Sequence, residues 1–187
     1  MKNANSSVVR GAFGMRFSVL TLVLMGLLAA MSIVLGKLLA INIGSAIRIS
    51  FENLPILLAG ILLGAPAGFL TGIVADIVGC LIVGYAINPV ITLGAGCIGL
   101  IAGLLFHKLP ETAKLPVRVF GSVMPAHVIG SMLIKSAGLM LYYHYTIEGV
   151  LPRVPLYIAI GTAESAIILL LLSNSHFAAQ IERLKNK

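Results

Sequence analysis

Apolar runs of about 20 residues, separated by short polar or glycine-proline interruptions, organise this chain from end to end. They fall at about 17–39, 54–66, 68–84, 89–107, 118–141 and 155–174, and such lengths predict six membrane-crossing helices. The second and third runs are short and separated only by Gly64-Ala65-Pro66-Ala67-Gly68, which predicts a tight helix-to-helix turn. One stretch breaks the helical pattern. In Ile47-Arg48-Ile49-Ser50-Phe51-Glu52-Asn53-Leu54-Pro55 apolar and polar residues alternate, which predicts a short extended polar segment between helices 1 and 2. Polar side chains gathered at the end of a lipid-embedded helix mark a place of recognition.

Composition agrees with an all-α, polytopic membrane protein. Hydrophobic residues make up 59% of the chain and charged ones 10%, against roughly 25% charged in soluble domains. Trp is absent, so the apolar content is aliphatic together with Ala and the 20 glycines. Small residues of that kind let helices approach closely in lipid, where no hydrophobic drive between helices exists. The spans take up about 120 residues, leaving a single membrane domain over 1–187 with no soluble domain and no nucleotide-binding loop. Any ATP hydrolysis must come from another subunit.

The net charge of +7 is spread as a multispanning protein requires. Lys2, Arg10 and Arg16 precede the first run, Lys108, Lys114 and Arg118 fall in one connection, and Arg183, Lys185 and Lys187 close the sequence. By the positive-inside rule these clusters put both termini and the 107–118 connection in the cytoplasm, with residues 40–53, 84–88 and 142–154 facing outward. The basic residues lack the accompanying aromatics of a nucleic-acid surface. The first apolar run is too long for a cleaved signal sequence and is expected to remain as the first helix. Cys80 and Cys97 sit inside apolar runs, which excludes a disulfide framework, and no ligand spacing suggests a metal site. No nucleophile or acid–base constellation appears, so an enzyme and a bound cofactor are both disfavoured.

Small residues recur every fourth position at Gly60, Gly64, Gly68 and Gly72, and again at Ala95, Gly99 and Gly103, as tight helix packing demands. Gly26 and Ala30 form a further small pair, suited equally to packing and to docking another membrane protein. Ionisable residues within spans are costly and must pair or bind. Asp76 continues the glycine stripe, His127, Ser131 and Lys135 share one helix face, and Glu164 lies near the middle of the last span. An ion pair of Lys135 with Asp76 or Glu164 would satisfy them, as would an internal pocket. Lys37 is expected to snorkel or pair locally, and Asn88-Pro89 to cap the fourth helix. Tyr142, Tyr143 and Tyr145 match an interfacial aromatic belt, although flat rings beside a few polar groups also suit a small aromatic solute.

Four stretches carry a family resemblance: Gly26-Leu-Leu-Ala-Ala30 with Ser32-Ile-Val-Leu-Gly36, Arg48 to Pro55, Tyr85-Ala-Ile-Asn-Pro89 with Thr92-Leu-Gly94, and His127 to Ser136. With the six-span plan, they make the chain resemble the substrate-binding subunits (S components) of energy-coupling factor (ECF) vitamin transporters, within them the folate type. The resemblance implies a non-catalytic subunit of a prokaryotic cell membrane, surrounded by lipid, that captures a vitamin outside. It implies partners too: a transmembrane coupling subunit and two ATPases. Gly26 and Ala30 match the family's Ala-xxx-Ala docking motif with a Gly substitution, and the loop after the first helix would gate the pocket. A folate ligand would then place Arg48 and Lys135 on anionic or carbonyl groups and Asp76 or Glu164 on the pterin's amino-pyrimidinone edge. Phe51, Tyr85 and Tyr143 would stack, and Ser50 and Asn88 would hydrogen-bond. A different vitamin or heterocycle is the alternative within the class. A stand-alone secondary transporter is the alternative outside it, and the inverted repeat that would favour it is not evident.

Overall fold

The computed structural model describes residues 8–10, 16–43, 47–110 and 112–174. Lys2, Arg183, Lys185 and Lys187, on which part of the orientation argument rests, lie outside the described residues. The first element is a hairpin that the sequence reading did not foresee, β1 (Val8–Arg10) paired antiparallel with β2 (Arg16–Ser18). Ser18 then caps α1 (Val19–Ile33), its Oγ accepting from the Thr21 N–H at 3.1 Å. A π-helical turn over Val34–Leu38 prolongs α1 and carries Lys37.

The polar interruption after this helix folds back on itself. β3 (Ile41–Ile43) pairs antiparallel with β4 (Ile47–Ile49), setting Asn42 opposite Arg48. The expected extended segment is thus one arm of a two-stranded ribbon, and it stops at Ile49, since Glu52 already has helical backbone angles as the cap of α2. The alternation of Ile47 to Ile49 signalled the second arm. Ile41-Asn42-Ile43 was too short a run to signal the first.

Helices α2 (Asn53–Leu63) and α3 (Ala65–Val83) are antiparallel neighbours joined at Gly64, whose φ of 99° is open to glycine without strain. The expected boundaries at 66 and 68 move accordingly. Pro66 stands in the first turn of α3, where its missing N–H costs nothing, and Gly64 leaves the packing stripe to make the turn. The other small residues do pack as expected. A Cβ added to Gly68 would come within 2.6 Å of Gly60 Cα, and one on Gly103 within 2.7 Å of Ala65 Cα, so α2, α3 and α4 (Pro89–Lys108) meet backbone to backbone.

The fifth span runs through α5 (Leu115–Ala126), a π-helical stretch over His127–Ile134, and α6 (Lys135–Tyr143). The widened turns follow on Pro125, which has no N–H to give the ladder. A single turn, α7 (Ile147–Val150), leads into α8 (Arg153–Ser173). Among the described residues, five helical stretches are long and apolar enough to cross a membrane, while α2 is a shorter apolar helix. Its apolarity comes from burial in protein: Leu57 and Ala59 are fully enclosed, among Ala29, Ile98, Val123 and Ile168 in the core.

The shortness of α2 shapes the molecule. With 11 residues against the 19 of α3, it ends eight residues earlier. At 1.5 Å per residue that is about 12 Å of missing helix. The chain at Glu52 and Asn53 therefore enters the bundle well below the end of α3, and the space above it is left as a recess.

Candidate functional site

The recess is a cavity of about 390 Å3, within the range of small-molecule sites. It opens at the end of the bundle where α4 begins, about 30 Å from Lys108 by the length of that helix. Its walls come from the turn after α1, the segment from Arg48 to Glu52, the C-terminal end of α3, the start of α4, α6, and the start of α8.

Glu52 and Lys135 form its charged floor. Lys135, almost fully buried, donates from Nζ to Glu52 Oε1 at 2.9 Å and to Asn53 Oδ1 at 3.3 Å. The partner anticipated for Lys135 was Asp76 or Glu164. The structure gives it Glu52 instead, because the deep start of α2 delivers that carboxylate to the depth of the lysine. Burial pushes the Glu52 carboxyl up, but Lys135 foremost, then Arg48 and Lys37, outweigh it and lower its pKa to about 2. Glu52 is held from two further sides. Its carbonyl accepts from Ser32 Oγ at 2.6 Å, and a Cβ on Gly36 would lie 2.7 Å from its own Cβ, so the chain passes there only because residue 36 has no side chain. Arg48 Nη2 donates to the Gly36 carbonyl, fastening the ribbon to the end of the first span.

Asp76 faces the cavity from α3 and accepts from Thr92 Oγ1 of α4 at 2.6 Å. Asn88 lines the wall but is committed to protein: Oδ1 receives the N–H groups of Val90 and Ile91, and Nδ2 donates to the Gly138 carbonyl at 3.1 Å. It acts as a cap and as a tie between α4 and α6. Tyr85 and Tyr143 stand at the rim, roughly half exposed, and Ser50 lies on the ribbon side.

Of the residues singled out in the sequence, Arg48, Ser50, Asp76, Tyr85, Asn88, Lys135 and Tyr143 thus come together, and Phe51 and Glu164 do not. Phe51 is not among the lining residues, and its carbonyl accepts from the Leu54 N–H. Glu164 is sealed in the bundle, bonded through Oε2 to His127 Nε2 at 2.6 Å, with both side chains fully buried. Glu52, Tyr145 and Arg153, polar or aromatic residues of the outward-facing loops, join the cavity, and Lys37 and Tyr157 join it without having been candidates. Arg153 and Tyr157 were legible as a cation and a ring four residues apart at the mouth of a span. Lys37 was hidden by its apolar surroundings.

Gly26 and Ala30 lie far from the cavity on the exposed face of α1, and a Cβ added to Gly26 would meet nothing within 4 Å. They take no part in the internal packing that engages Met25 and Ala29 on the adjoining face.

A family described as "ECF-type riboflavin transporter, S component" matches residues 16–175. Among solved structures, the chain is similar to FolT bound with folic acid, at 25% identity over 83% of this chain and 89% of that one, with a TM-score of 0.62. It is also similar in fold to the S component of a bacterial ECF transporter, at 21% identity over 89% of this chain and 95% of that one, again with a TM-score of 0.62. No match was found among curated proteins.

Proposed function

The chain belongs to the S-component family described for ECF-type riboflavin transporters, and from that membership we propose that it is the capture subunit of a vitamin importer with folate as its ligand. The observation that carries the reading is the cavity above α2, where rings, carboxylates and cations converge at one end of a membrane bundle. That end is opposite the basic connection bearing Lys108, Lys114 and Arg118, so the positive-inside rule turns the cavity outward and both termini to the cytoplasm. The likeness to a folate-bound protein supports folate, and the family description favours riboflavin as the second reading.

In the folate pose, Asp76 receives donors of the pterin's amino-pyrimidinone edge, beside the Glu52–Lys135 floor. Tyr85, Tyr143 and Tyr157 supply flat surfaces for its rings. The loop after the first helix, whose strand Ile47–Ile49 is tied to Gly36 through Arg48, gates this pocket and moves aside for entry. Release to the inside requires a coupling subunit, which meets α1 at Gly26 and Ala30, and two ATPases.

Titration of purified protein with folate and with riboflavin tests the ligand. Submicromolar folate binding with weaker riboflavin binding supports the reading, and the reverse order replaces folate by riboflavin. Reconstituted vesicles test the class. Uptake should require the ATPase module, and rapid uptake without it would mean a stand-alone transporter.

A further inference from the structure

The charges around the cavity do not balance. Lys37, Arg48, Lys135 and Arg153 line it against the carboxylates of Glu52 and Asp76. Lys135 is bonded to Glu52, and Arg48 to the Gly36 carbonyl close to that carboxylate. Asp76 receives Thr92. Lys37 and Arg153 are left in the wall with no carboxylate ion pair among the described residues.

Both are held over rings instead. Lys37 Nζ stands 5.7 Å from the Tyr85 ring centre, with Cys80 Sγ as a weak acceptor at 3.9 Å. Arg153 Cζ stands 5.2 Å from the Tyr157 ring centre and donates from Nη2 to that residue's hydroxyl at 3.3 Å. Its Nε is buried without a hydrogen-bond partner, as is that of Arg48. Cations in a recess of low dielectric with unfilled donors are costly unless something anionic completes them. The rings hold them in place, and guanidinium and ammonium groups on separate spans offer charge-assisted bonds to carboxylates.

We propose that Lys37 and Arg153 are the specificity-determining pair of this site, selecting a solute that carries two carboxylates on a flexible arm over one with similar rings and a single carboxylate or none. The inference rests on the vitamin-capture reading and deepens it. Lys37 ends the first span and Arg153 opens the sixth, so a ligand with two carboxylates on a flexible arm would be held by two different spans.

The test uses the full chain in neutral, lipid-free detergent, titrated with folate, with pteroic acid (the same rings, ending in one benzoate carboxylate in place of the glutamate's two) and with uncharged riboflavin. Wild type should bind folate about tenfold or more tightly than pteroic acid, with an affinity that falls as salt rises. K37Q and R153Q should each weaken folate about tenfold and pteroic acid less than about twofold. K37R and R153K, which keep the charge, should retain most of the preference and guard against a folding defect in the neutral variants. Equal wild-type affinity for folate and pteroic acid, or equal losses for both in the variants, overturns the pair's role while leaving vitamin capture intact. Preferred riboflavin binding that ignores both substitutions overturns it too, and changes the ligand. Failure of all three compounds to bind overturns folate and riboflavin as the ligand, and this inference with them.

Discussion

Lys135 Nζ lies 2.9 Å from Glu52 Oε1, so the fifth span is bonded directly to the residue that opens α2. The two are 83 positions apart, and the bond fixes the ribbon-to-helix junction over the cavity floor. Removing one partner strands the other. K135M should lower the unfolding stability by about 2–3 kcal/mol, less than the roughly 3–5 of a fully buried pair, because the Glu52 side chain keeps 22% of its exposure. K135M/E52L, with no stranded charge, should recover part of the loss. Thermal unfolding in detergent reads both, and a K135M midpoint equal to wild type would mean the pair contributes nothing.

The same carboxylate sets an acid limit. Its folded pKa, about 2, lies below the ordinary 4.5, so the unfolded chain takes up the proton first as pH falls. The stabilisation is therefore complete above about pH 5 and is lost as pH drops towards 2. Unfolding midpoints measured from pH 7 to pH 2.5 should fall more steeply for wild type than for E52Q below pH 5. Parallel curves would place the acid sensitivity elsewhere.

The small residues divide into two classes that a pair of variants separates. A Cβ on Gly68 would come within 2.6 Å of Gly60 Cα, whereas one on Gly26 meets open space. G68L should fail to yield folded protein. G26L and A30L should fold and bind ligand as wild type does, yet lose module-dependent uptake in vesicles by tenfold or more. Loss of binding in G26L would return that face to internal packing.

Much of this architecture was legible in the sequence. Length and apolarity marked the spans, and strict alternation marked Ile47 to Ile49 as strand. What composition did not carry was depth. Nothing in Asn53–Leu63 announces that the helix begins low in the bundle. Its residues are apolar because protein surrounds them, and a lipid-facing helix would read the same way. Since α2 sets the depth of Glu52, the partner of Lys135 was invisible for the same reason. Glu164 was recognised as a charge that must pair, but its partner His127 had been assigned to a face shared with Lys135. The π-helical turns beginning at His127 leave the imidazole facing α8, while Lys135, at the end of the stretch, reaches the cavity.

His127 and Glu164 give the last prediction, because they join the fifth and sixth spans out of reach of solvent. His127 Nε2 and Glu164 Oε2 are 2.6 Å apart, Ser131 Oγ lies 3.4 Å from His127 Nδ1, and Glu164 Oε1 has no hydrogen-bond partner. H127A leaves a buried carboxylate with nothing to hold it and should cost about 3–5 kcal/mol. E164Q keeps a hydrogen bond to the ring and should cost less. Neither residue lines the cavity, so folate affinity should stay within about twofold of wild type in whatever fraction remains folded. One contact leads from this pair to the cavity: the Tyr157 ring lies 5.9 Å from the imidazole, tilted by 31°, and Tyr157 is the residue that holds Arg153. If E164Q folds normally yet binds folate tenfold more weakly, then the pair acts on the ligand through that ring, and occupancy of the cavity is coupled to how α8 packs against the fifth span.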